Sequence, residues 1–122
     1  MKVRLKLISV DLDTQERKIL ADGAALFDGE RLLYQEKDTG AKHQIIWKGD
    51  CMEIHRNAEI TSITTLCKDG GGKTRIISEY GVMELDAVCE YIHTADTLWT
   101  VVYRIENQGD VTLHQRLEWH IS

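Results

Sequence analysis

The sequence predicts an all-β chain, one antiparallel barrel of about ten strands spanning residues 1–122. Three observations predict it. Apolar and polar residues alternate with a period of two. Turn signals recur at short, near-regular intervals. The connections between the strands are all tight, which favours an antiparallel meander over parallel crossovers.

The strands are expected, in order, at 2–10, 17–27, 30–36, 41–47, 51–56, 60–67, 73–78, 82–93, 97–106 and 111–121. The first shifts phase, with Val3, Leu5 and Leu7 followed by Ile8, Val10 and Leu12. A bulge near Leu7-Ile8, or a strand crossing between sheets, would account for that. Asp28-Gly29, Asp38-Thr39-Gly40, Lys48-Gly49-Asp50 and Asn57-Ala58 separate the strands of the first half. Asp69 to Gly72, Tyr80-Gly81, Ala95-Asp96 and Asn107 to Asp110 do so in the second. At Tyr80-Gly81 the glycine is expected to supply an unusual backbone angle. The stretch Val82 to His93 also has helical spacing at Val82, Leu85, Cys89 and Ile92. Its alternating face, Met83, Leu85, Ala87, Cys89 and Tyr91, fits a strand better. Trp99, Val101, Tyr103 and Ile105 alternate with polar neighbours in the ninth strand. Val111, Leu113, Leu117, Trp119 and Ile121 share one face of the last.

The length suits one domain with a real core. Fifteen Lys+Arg against 20 Asp+Glu leave a net charge of -5 and no basic run, which argues against nucleic acid. No apolar run is long enough for a membrane helix, and no secretory signal is visible. The three cysteines, Cys51, Cys67 and Cys89, are scattered and read as reduced thiols of a cytoplasmic protein.

Several segments and residues resemble members of the YwiB family of small bacterial proteins. They are Leu33-Tyr34-Gln35-Glu36, Met52 to Ala58, and Ser78-Glu79-Tyr80-Gly81-Val82-Met83-Glu84-Leu85, followed by the final pair of strands. The resemblance runs over essentially the whole chain. It implies a calycin-like barrel, related in shape to lipocalins and fatty-acid-binding proteins, and it implies no activity.

Chemical motifs are absent or broken. Cys67-Lys68-Asp69-Gly70-Gly71-Gly72-Lys73-Thr74 nearly spells a phosphate loop, but Cys67 replaces the first glycine and a strand follows instead of a helix. Asp11 to Asp22 lacks the central glycine and final glutamate of a calcium loop. No nucleophile elbow exists, and the histidines lack metal-ligand spacing. No enzyme activity, cofactor or metal is therefore expected.

Binding has more to rest on. Barrels hold ligands in an apolar lumen with a few placed polar groups. Tyr34, Tyr91 and Tyr103 can offer hydroxyls, Trp99 a packing surface, and Arg56 or Arg75 a fork for an anionic head. The expected partner is a small apolar or amphipathic ligand, with the protein a monomer or homodimer. The alternative is an interaction module whose barrel is plugged by Trp47, Trp99, Tyr103 and Trp119.

Overall fold

The computed structural model describes residues Met1–Ser122. Ten strands follow one another without a helix: β1 (Lys2–Asp11), β2 (Arg17–Phe27), β3 (Arg31–Gln35), β4 (Lys42–Trp47) and β5 (Cys51–Asn57). Then come β6 (Thr61–Cys67), β7 (Gly72–Ser78), β8 (Gly81–Thr94), β9 (Leu98–Asn107) and β10 (Asp110–Ile121). Each strand pairs antiparallel with its neighbours in sequence, and β10 returns to β1 to close the barrel. Closure runs from Leu5↔Ile121 to Asp11↔Gln115, which completes the ring of strands, with β2 and β3 the most briefly paired neighbours. No helix of the chain is long and apolar enough to cross a membrane.

The turns match their residues. The β9–β10 hairpin turns through Gln108 and Gly109, with φ of 53° and 88°. Positive φ at both positions is the two-residue turn whose twist suits a hairpin. Gly81 has φ of 125°, the unusual angle expected of it.

Three register shifts decide which side chains point inward. At Leu7/Ile8 the β1–β2 pairing jumps from Ala21 to Ile19, so the extra residue is Leu20, on β2. β1 itself stays in register with β10. Ile8 and Val10 therefore lie on the outer face, buried but outside the main core. A second shift at Cys89/Tyr91 makes Glu90 the extra residue of β8. The third, at Val111/Leu113, makes Thr112 the extra residue of β10. Beyond each bulge the alternation changes phase. Val111 consequently stands opposite Glu106 and is exposed, instead of sharing the inner face of Leu113 and Leu117.

The core fills one end of the barrel. Leu5, Leu32, Met52, Leu66, Val101 and Ile121 pack there with Trp99, whose ring meets Phe27 edge-on at 5.6 Å. Trp119, directly opposite Trp99 on the neighbouring strand, is fully buried.

The cysteines differ from the sequence expectation. Cys51 and Cys67 stand directly opposite each other on β5 and β6 and form a disulfide. Their separation of 16 residues did not reveal that the β5–β6 hairpin brings them face to face. Cys89 alone is free, and it is buried. A cytoplasmic location was inferred from reduced thiols, and the bridge removes that support.

Candidate functional site

The inward positions change character along the barrel axis. β4 carries His43, Ile45 and Trp47, and β5 carries Met52, Ile54 and Arg56. β10 carries Gln115, Leu117 and Trp119. Because neighbouring strands run in opposite directions, the polar member of each set falls at the same end. That end is hollow. A cavity of about 310 Å³ is walled by Leu7, Leu20, Ile54 and Leu117, with Trp119 among its lining residues. Its polar lining is Glu36, His43, Arg56, Ser62, Thr64, Tyr103 and Gln115.

A chain of hydrogen bonds runs down one wall. Trp119 Nε1 donates to Tyr34 Oη at 2.7 Å. Tyr34 Oη lies 2.8 Å from His43 Nδ1, and His43 Nε2 lies 2.5 Å from Glu36 Oε2. Arg56 clasps the same carboxylate, Nε to Oε2 at 2.7 Å and Nη2 to Oε1 at 3.3 Å. Thr39 Oγ1 donates to Glu36 Oε1 at 2.7 Å.

The proton positions follow from the partners. A carboxylate only accepts, so His43 carries its proton on Nε2. Tyr34 oxygen already accepts from Trp119, so its own proton goes to Nδ1 of a neutral His43. Burial pushes the His43 imidazole pKa down, against the pull of Glu36, and Arg56 adds to the depression. Burial also opposes the Glu36 charge, but hydrogen bonds from Arg56, Thr39 and His43 outweigh it and bring the carboxyl to about 2. The Tyr34 hydroxyl is raised by burial and stays protonated.

Two further polar pairs line the lumen. Thr64 and Thr74 share a hydrogen bond of 3.1 Å across β6 and β7. Gln115 Nε2 donates to Tyr103 Oη at 2.6 Å. Burial raises the Tyr103 hydroxyl, with Gln115 opposing.

A second opening lies in the wall itself. β2 and β3 pair only at Leu26↔Leu33 and Phe27↔Leu32. They separate beyond that point and rejoin where Lys37 N donates to Leu20 O at 2.9 Å. The gap holds a cavity of about 440 Å³ between Ala21 to Ala24 and Tyr34 to Lys37.

Of the residues proposed from sequence as ligand contacts, Arg56 and Tyr103 line the lumen cavity. Tyr34 stands behind it in the hydrogen-bond chain and lines the β2–β3 gap. Trp99 is buried in the packed end, beside Phe27. Arg75 and Tyr91 do not reach the lumen. Arg75 lies on the outer face of β7 against Glu84, because the inner phase there belongs to Thr74. Tyr91 follows the Glu90 bulge, which turns it outward and gives the inner position to Ile92. Sequence reasoning missed Glu36, His43, Ser62, Thr64 and Gln115. His55, His114 and His120, by contrast, are surface groups, each paired with a carboxylate outside the barrel.

Fold and site together define a closed ten-stranded antiparallel β-barrel, packed at one end and hollow and polar at the other. The crystal structure of the YwiB protein from Bacillus subtilis is similar, with a TM-score of 0.63 over 99% of this chain and 92% of that one. The two share 12% of their residues, so the likeness concerns the fold alone. No family model matches the chain, and no curated protein does.

Proposed function

We propose that the protein binds a small amphipathic molecule in the hollow end of its lumen, as a divergent, calycin-like relative of the YwiB barrel. The cavity of about 310 Å³ carries this reading: an apolar wall and a few converging polar groups are what ligand sites are made of. At this volume it has room for roughly ten water molecules, hence a ligand of similar heavy-atom count. The tryptophans do not plug it; Trp99 belongs to the packed end, and Trp119 forms part of the cavity lining.

The hydrogen bonds favour binding over catalysis. Both nitrogens of His43 are engaged, Nδ1 by Tyr34 and Nε2 by Glu36. No lone pair is left there to take a proton from a bound molecule. This supports reading the relay as part of the binding wall.

Native mass spectrometry of freshly purified protein tests the reading. The expected result is a mass above 14.0 kDa that releases a small molecule on mild activation. A clean apo mass, together with no saturable change in tryptophan fluorescence across a series of medium-chain amphiphiles, would overturn it.

An interaction module is the second reading. Tyr80, Val82 and Met83 are exposed together around the β7–β8 turn and favour it. A dimer in sedimentation that Val82→Lys abolishes would support it.

A further inference from the structure

The lumen cavity has one cation, and that cation is already neutralised. Arg56 reaches both oxygens of Glu36, and the Glu36 side chain is 10% exposed. A ligand carboxylate placed here would share Arg56 with Glu36 and face a like charge beside it. No second basic side chain lines the cavity apart from the neutral His43.

Apart from that ion pair, the cavity offers neutral hydrogen-bonding groups, donors among them. Tyr103 is 5% exposed, and its oxygen accepts from Gln115. Its own proton finds no acceptor in the protein. Turning the Gln115 amide over does not match every donor. Tyr103 would then donate to Oε1, and both amide N–H bonds of Gln115 would lack acceptors instead. In either arrangement the pair brings two unmatched N–H or O–H bonds to the cavity wall. Ser62 adds a third hydroxyl to the same lining. Tyr103 is buried while Gln115 and Ser62 are half-buried at the cavity wall, so the set is placed to donate to an acceptor that enters the cavity in place of water.

We infer that the ligand is an uncharged, carbonyl-bearing amphiphile, such as a medium-chain amide, ketone or lactone, and not a fatty carboxylate. Its carbonyl oxygen accepts from the Tyr103–Gln115 pair. Its aliphatic part lies on Leu7, Leu20, Ile54 and Leu117. The inference rests on the binding function proposed above and names its ligand class.

Octanamide and octanoate test it, because they match in size and differ in charge. Affinities are read at pH 7 from amide chemical shifts of isotope-labelled protein. Octanamide is expected to bind about tenfold more tightly than octanoate. Tyr103→Phe, shown to be folded by the dispersion of the same spectra, is expected to weaken octanamide binding about five- to tenfold, the loss of one hydrogen bond. Octanoate binding as tightly or more tightly would overturn the inference while leaving the binding function standing. An unchanged octanamide affinity in Tyr103→Phe would do the same. Failure of both compounds to bind would overturn the inference and count against the binding function itself.

Discussion

Removing the hydroxyl of Tyr34 has a cost set by what that hydroxyl holds. In Tyr34→Phe, Trp119 loses the acceptor for its indole N–H, and His43 loses the donor to Nδ1. Trp119 is 0% exposed and His43 is 7% exposed, so water does not readily replace either partner. A buried polar group left unmatched costs about 1–3 kcal/mol. Two together give about 2–6 kcal/mol, a large share of the stability of a domain this size. Tyr103→Phe is the same chemical change in the same barrel. There the hydroxyl serves only Gln115, whose amide lines the open cavity and can be rehydrated. Its cost is about 1 kcal/mol or less. Urea unfolding followed by tryptophan fluorescence and far-ultraviolet circular dichroism separates the two. With m of about 1.5 kcal/mol/M, a 3 kcal/mol loss lowers the midpoint by roughly 2 M. Tyr34→Phe is expected to show that shift and Tyr103→Phe a quarter to a third of it. Equal midpoints for the two variants would refute the argument that the relay, not tyrosine burial in general, holds this wall together.

The relay also makes the barrel acid-sensitive in two stages. His43 is held neutral with a depressed pKa, so the unfolded chain takes up a proton first and stability falls as pH drops below about 6.5. Glu36, lowered to about 2, adds stability that is present above its ordinary 4.5 and is lost as pH falls from there towards 2. Urea midpoints that stay flat from pH 7 to 4.5 would contradict the first stage. Thiol titration of the oxidised protein should find one reactive cysteine, Cys89, and only after unfolding; three should appear after reduction. Replacing both Cys51 and Cys67 by serine should cost about 3 kcal/mol, the loop-closure value for a 16-residue separation, and an unchanged urea midpoint would count against the bridge. Gly72→Ala should destabilise by at least about 2 kcal/mol, because a Cβ there would lie 2.6 Å from Thr65 O and 3.1 Å from Ala87 O. Gly71→Ala meets only the Asp69 side chain at 3.2 Å, and a Tm as low as that of Gly72→Ala would refute the distinction.

The strand pattern was legible because period-two alternation and turn chemistry are local properties. All ten expected strands appear within a residue or so of their expected limits. The phase change in β1 marked a real irregularity, yet the extra residue sits on its partner, as Leu20. One strand's sequence shows that a register shifts without showing which strand absorbs the shift. The same limit misplaced Tyr91 and Val111. A bulge at Glu90 or Thr112 leaves no distinctive residue behind, and every position beyond it changes face. The Cys51–Cys67 bridge was invisible for a related reason, since pairing depends on the hairpin register and not on spacing.

Of the cavity lining only Arg56 and Tyr103 were read from the sequence as ligand contacts, and the signal that was passed over is polar residues that break an apolar inner phase. Arg56 follows Met52 and Ile54 at a spacing of two, and it belongs to that phase although it is charged. His43 precedes Ile45 and Trp47 in the same way, and Gln115 precedes Leu117 and Trp119. On β4 the polar residue stands near the strand's start, on β5 near its end, and on β10 at mid-strand, on the N-terminal side of Leu117 and Trp119. In an antiparallel meander these alternating positions coincide at one end of the barrel. Such coincidence across strands argues for a site more strongly than any one of the residues alone. A lone inward arginine reads as a surface group or a buried pair. Several inward polar residues gathered at one mouth, above a core that is apolar at the other, divide the lumen into a part that holds the fold and a part free to hold something else.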